Sequence, residues 1–352
     1  IQAYNHRLCL TNQEGNRRLL ERPPPGYKRE EYVNFNRKYM SAGALNGKSS
    51  WNAAILPGEN HAYPDAPWPQ REKIIERHKN FALGLMWFLQ NDESVKPATR
   101  ARNRQIGLPL DEFPDNDNLP YEIYVREARR IVGRYVYREQ DNSFAPGLGR
   151  APIQPDSVAF TDWPMDSHEC TTDRRPGYDF DGKLILTEES RPGQIPYRCL
   201  LPQGVDNLLV PVCLSATHVA WGAVRLEPVF MQTGEAAGFA AALSKKRGGT
   251  PAALDSDLLV RTLCRAGCVV TFFNEREAIR HPAAQYFGTK GFFHDYNARL
   301  NEPLKPATAR VWADSKLAPN ARACAVAEAE KSATTGTLTR GAVLQSMWES
   351  LR

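Results

Sequence analysis

Asp206-Asn207-Leu208-Leu209-Val210-Pro211-Val212-Cys213-Leu214-Ser215-Ala216-Thr217-His218-Val219-Ala220-Trp221-Gly222-Ala223 passes from a turn into an apolar block and then into a loop of small residues. The turn begins at Gly204, and the five residues 208–212 lack polar alternation, a pattern that predicts a buried strand. A long helix is predicted from Val224 to Lys246, with Gly234, Ala237, Gly238 and Ala241 spaced to make one face pack closely. Strand, small-residue loop and helix in this order are the layout of a nucleotide site. Small side chains admit a flat or phosphorylated ligand to the backbone, and the N–H groups at a helix start favour negative charge. Plain α/β packing produces the same order, so the layout alone leaves both readings open.

Outward from this run, the 352 residues are 42% hydrophobic and 24% charged, enough for one large domain or two ordinary ones with a sizeable core. The formal net charge of +5 is small, and no Lys/Arg-rich run tracks a phosphate backbone, so nucleic acid is not an expected partner. The longest apolar stretch, 81–89, is interrupted by Gly84. It is about half the ~20 residues a spanning helix needs, and no transmembrane segment is predicted. The first residue is Ile1 and no signal-peptide pattern follows it, so the chain is expected to start inside a larger or processed product. Seven cysteines (Cys9, Cys170, Cys199, Cys213, Cys264, Cys268, Cys324) form no CxxC pair, which argues against a disulfide framework and against a zinc site.

Proline clusters at Pro23, Pro24, Pro25 and at Pro64, Pro67, Pro69 predict loops and short strands over the first 70 residues. Ile74, Ile75, His78, Ala82, Leu85, Met86 and Leu89 recur at helical spacing, with His78 read as a packed histidine. A second helix is predicted from about Pro120 to Gly133 and a short strand over 183–187. Farther on, helices are predicted over 258–266 and 340–351, flanking an alanine-rich segment at 307–329.

The run from Asp206 through Pro228, with Gly234-Glu235-Ala236-Ala237-Gly238, closely resembles the C-terminal flavin-binding segment of a bacterial FAD-dependent oxidoreductase family, some of whose members are labelled xanthan lyase. The resemblance extends through Tyr4-Asn5-His6-Arg7-Leu8-Cys9-Leu10-Thr11, Arg129-Arg130-Ile131-Val132-Gly133, Pro164-Met165-Asp166-Ser167-His168 and Ile195-Pro196-Tyr197-Arg198. Separated blocks in one order are hard to obtain by chance. The resemblance implies an α/β (mixed α+β) fold, the C-terminal part of a two-domain, Rossmann-like flavoprotein with a substrate domain. Residues 1–200 would be substrate-domain-like, 201–250 the strand, loop and helix of the FAD-binding domain, and 251–352 a helical and loop extension. No Gly-x-Gly-x-x-Gly turn for the FAD pyrophosphate occurs in the chain, and the isolated chain is expected to hold FAD weakly without a segment that carries one.

The same resemblance implies FAD as cofactor, with Cys213, Leu214, Ser215, Ala216, Thr217, Gly222 and Ala223 beside the isoalloxazine ring. Val224, Arg225, Leu226 and Glu227 would face its pyrimidine edge. Oxidation of a C–H or C–N bond in a small molecule or sugar needs the carbon over the flavin N5, a base, and a group to hold the substrate. His218 is one candidate base and loop-bound structural histidine is its alternative. His168 is a second base, with Asp166 to orient it. Arg198 is a candidate substrate clamp, with a surface or domain-interface role as the alternative. Cys213 has no adjacent Lys or His and is expected to pack rather than react. A non-catalytic interaction module that no longer binds FAD is the competing function. A polysaccharide lyase would need an aromatic-lined cleft, and Trp51, Trp68, Trp87, Trp163 and Trp221 are too scattered to supply one.

Overall fold

Helix α1 (Trp68–Asn91) forms where the helical spacing predicts one: Pro69 occupies the first turn, where its missing N–H costs nothing. Its buried face includes Phe81, Ala82, Leu85, Met86, Phe88 and Leu89. His78 is 1% exposed and donates from Nδ1 to the Ile74 carbonyl at 2.8 Å, a packed histidine as the spacing suggests. The computed structural model describes residues 1–35, 40, 45–313, 323, 327, 331 and 338–351.

Two compact units divide the chain, and both mix helices with strands. The first comprises residues 1–128 and 168–183. Here β1 (Leu8–Thr11) pairs antiparallel with β3 (Lys48–Trp51), and β2 (Arg17–Arg18) with β4 (Leu108–Pro109). Leu8, Leu10, Trp51 and Leu108 from these strands close a core with the apolar face of α1, and α2 (Pro97–Asn103) packs on α1.

The second unit comprises 129–167 and 184–352, so the regions expected as 201–250 and 251–352 fall together within it. Strand β5 (Ser157–Thr161) pairs antiparallel with β8 (Gly193–Pro196), and β6 (Met165–Ser167) with β7 (Leu184–Leu186). The helices are α3 (His218–Val224), α4 (Glu227–Lys246), α5 (Ser256–Arg265), α6 (Arg276–Ile279), α7 (Pro282–Gly288), α8 (Pro306–Ala313) and α9 (Arg340–Glu349). Helix α4 packs on β5, and α5 and α9 pack on α7. Leu259, Leu263, Phe273, Phe287, Leu344 and Met347 lie in their shared core.

Several expectations fail for identifiable reasons. Residues 208–212 form no strand: Leu208 is 46% and Val212 48% exposed, Pro211 removes a ladder donor, and no strand among the described residues pairs with them. No helix forms over 120–133, because its amides bond outside the segment, Tyr124 N–H to Asn5 O at 2.9 Å and Ile131 N–H to Cys213 O at 3.0 Å. The long helix predicted from Val224 is broken. Leu226 is extended (φ −83°, ψ 145°), and Pro228 can only sit in the first turn of a new helix. The close-packed face of α4 carries Ala236, Ala237 and Ala240, whereas nothing lies within 4 Å of a Cβ built on Gly234 or Gly238. Of the alanine-rich segment, α8 is described, while most residues beyond 313, Cys324 included, lie outside the described residues. No described helix is long and apolar enough to cross a membrane.

Candidate functional site

The small-residue loop is fixed by two neighbouring backbone segments. Ser215 N–H donates to Cys199 O at 3.0 Å, Tyr137 N–H to Ser215 O at 3.1 Å, and Thr217 N–H to Tyr137 O at 2.9 Å. Gly133 is required where these segments meet, since a Cβ there would stand 2.6 Å from Ser215 Cβ. The glycine that ends the Arg129–Gly133 block thus lets the loop lie against the backbone.

Thr217 turns the loop into α3. Its hydroxyl oxygen caps the helix by accepting from Ala220 N–H at 3.3 Å, and the same hydroxyl donates to Glu139 Oε1 at 2.8 Å. His218 is the first helical residue, with Nε2 at 3.2 Å from Ser167 Oγ on β6. Gly222 faces the β6 backbone, and Arg225, its side chain 4% exposed, reaches the Asp166 carboxylate at 3.2 Å. On another side, Arg130 donates to Ala216 O at 2.9 Å and lies over the Trp221 ring at 5.3 Å. The start of α3 therefore gathers a hydroxyl, an imidazole, a carboxylate and a guanidinium.

Of the residues expected beside a flavin, Cys213 and Glu227 are exposed and Thr217 and Leu226 half-buried. Leu214, Ser215, Ala216, Gly222, Ala223, Val224 and Arg225 are buried by protein. The packing role expected of Cys213 fails: with no strand at 208–212 to carry it inward, its side chain reaches solvent. Residues able to touch a ligand directly are therefore Cys213, Thr217, His218, Leu226 and Glu227. Together they offer a thiol, a hydroxyl, an imidazole, a carboxylate and an apolar side chain, a donor set that fits a flat ring with polar edges.

Arg198 is engaged by Asp156 at 2.9 and 3.1 Å and lies over Tyr135 at 4.8 Å. His168 belongs to the first unit, with Nδ1 at 3.7 Å from the Glu169 carboxylate. That carboxyl is held down at about 2: burial pushes it up, but the neighbouring His168 ring, a backbone N–H and Lys183 outweigh it. Of the expected pair, Asp166 receives Arg225 at 3.2 Å and His168 faces Glu169. Sequence reasoning passed over Ser167, Arg130 and Glu139. The first two lie inside quoted blocks, whereas Glu139 carried no signal.

The profile of a family described as FAD dependent oxidoreductase matches residues 1–263. No curated protein and no solved structure matches the chain.

Proposed function

This chain belongs to the FAD dependent oxidoreductase family, whose cofactor is FAD, and from that premise we propose that it oxidises a C–H or C–N bond of a small molecule or sugar at the start of α3. We propose further that α3 and α4 are part of a Rossmann-like FAD-binding domain, and that 208–212 is an edge at which a strand of its sheet pairs. The exposure of that strand-competent apolar run supports this. Cys213, Thr217, Leu226 and Glu227 hold the cofactor from the surface, while Leu214, Ser215, Ala216, Gly222, Ala223, Val224 and Arg225 shape the wall behind them. Bound FAD supplies the acceptor for a hydride from the substrate carbon.

The observation that carries the reading is the 3.2 Å contact between His218 Nε2 and Ser167 Oγ. His218 acts as the base that takes the proton of a substrate hydroxyl or amine, and the buried Ser167 hydroxyl, at 3.2 Å from Nε2, orients its imidazole. Glu139, anchored through Thr217, contributes negative charge at the same helix start. Arg198 is assigned to binding Asp156 rather than substrate, and His168 is the alternative base.

The test is stopped-flow reduction of the FAD-loaded protein by a panel of sugars and hydroxy acids, followed at about 450 nm. His218→Gln should keep the flavin and lower the reduction rate by about 10²–10⁴-fold, the usual range for a lost base. An unchanged rate transfers the base role to His168. A protein that retains no FAD even when joined to a segment bearing a Gly-x-Gly-x-x-Gly turn favours the non-catalytic interaction module.

A further inference from the structure

A pocket of about 360 Å³ opens in the first unit between β1, β3 and the loop that follows β4, near the lower end of the roughly 300–1,000 Å³ of small-molecule sites. Its two cations differ in their partners: Lys48 is held by two carboxylates, Asp111 at 2.8 Å and Glu112 at 2.6 Å, whereas Arg7 faces the pocket from β1's end. The Arg7 guanidinium lies over the Tyr124 ring, its Cζ 3.5 Å from the centroid, and its Nε is buried without an acceptor among the described residues. No carboxylate among the described residues pairs with it. Leaving a guanidinium desolvated on one side with no anion is costly, and an anion arriving from the pocket would offset that cost.

The rest of the lining is apolar and held in place. Phe113 and Pro120 supply hydrophobic walls. Phe113 sits at φ 50° and Asn46 at φ 67°, left-handed conformations that a bulky side chain rarely adopts, and the Phe113 ring is fixed edge-on by Tyr121 at 5.3 Å. Such strain persists only where surrounding structure enforces it, and it gathers at ligand clamps. Cys9 lies on the same lining.

We propose that this pocket binds a small organic monoanion, a carboxylate on an aromatic or branched apolar body, with the carboxylate on Arg7 and the body between Phe113 and Pro120. This is independent of the flavin reading, because every lining residue belongs to the first unit.

Benzoate is the probe and Cys9 the reporter. In the full chain, benzoate should slow alkylation of Cys9 by N-ethylmaleimide, read by peptide mass spectrometry, while leaving Cys213 unaffected. Benzyl alcohol, the same body without the charge, should protect at least tenfold less. Arg7→Gln should lose at least tenfold in protection and Arg7→Lys should recover part of it, since lysine restores charge without the planar fork. Glu112→Gln leaves Arg7 in place and frees the Lys48 charge, so it should strengthen protection about threefold, a result that stands even where Arg7 variants misfold. Equal protection by benzoate and benzyl alcohol would overturn the proposal, as would a folded Arg7→Gln protein that binds like wild type or a Glu112→Gln protein with weakened protection.

Discussion

The Asp166 backbone lies so close to Gly222 that a Cβ added to the glycine would stand 2.6 Å from the Asp166 nitrogen and 2.7 Å from its oxygen. One turn later the carboxylate of the same aspartate receives Arg225 at 3.2 Å. Strand β6 is thereby seated on α3 by contact and by charge, and the seating brings Ser167 to His218.

Gly222→Ala should therefore destabilise the protein by about 1–3 kcal/mol, the usual cost of overpacking, because backbone cannot swing aside as a flexible side chain can. Gly234→Ala, on α4 with nothing within 4 Å, is the control. It should be stabilising by about 0.5–1 kcal/mol, the helix-propensity difference. Urea unfolding measures both. Equal midpoints for the two variants would mean that β6 moves off α3 without cost.

Ser167 is 1% exposed and acts through His218. Ser167→Ala should reduce the flavin-reduction rate about 10–100-fold, less than loss of the histidine itself, while leaving FAD bound. Ser167→Thr keeps the hydroxyl and should restore most of the rate. A purely structural serine would leave the reduction rate of the flavin-loaded protein unmoved and would gain nothing from threonine.

Local periodicity and local chemistry made much of this legible. The period of α1 is visible because its apolar residues face one core, and the blocks around Arg130, Ser167 and Thr217 mark segments that meet at the start of α3. What was not legible depends on partners distant in sequence. The apolar run at 208–212 has the composition of a strand but no strand beside it, and 120–133 spends its amides on Asn5 and Cys213 instead of its own turns. The break between α3 and α4 was visible in Pro228 and was outweighed by the Ala/Gly-rich pattern around it. Glu139 reaches Thr217 from 78 residues away, a separation that no spacing rule covers.

Stability should fall in mild acid. His78 and His6 are 1% and 2% exposed, and burial pushes both below the ordinary histidine value. The unfolded chain takes up those protons more readily than the folded one. Their contribution is complete above about pH 6.5 and is lost as pH falls through the depressed folded values, at up to about 1.4 kcal/mol per pH unit for each histidine. Urea unfolding at pH 7 and pH 5 measures the loss. Replacing His78 by Gln should remove a substantial part of the slope, and a slope identical to wild type would assign the acid sensitivity to other groups.

Thiol reactivity should separate the cysteines by burial. Cys213 is exposed, whereas Cys199 and Cys264 are 0% exposed and burial pushes their thiols far above the usual range. Cys268 is intermediate, raised to about 11 by burial and by the neighbouring Glu235 carboxylate. Alkylation at pH 8 followed by peptide mass spectrometry should modify Cys213 first, Cys268 slowly, and Cys199 and Cys264 only in denaturant. The order also bears on the flavin site. If Cys213 lies against bound FAD, adding FAD should slow its alkylation severalfold while leaving Cys268 unchanged, because a thiol beneath a flat ring loses its access to reagent. Cys213→Ser should then keep both flavin binding and reduction rate, since no Lys or His adjoins it in sequence to activate the thiol. An unprotected Cys213 in flavin-loaded protein would remove it from the cofactor-binding set, and a Cys213→Ser protein that binds FAD but fails to reduce it would make the thiol a participant in the chemistry.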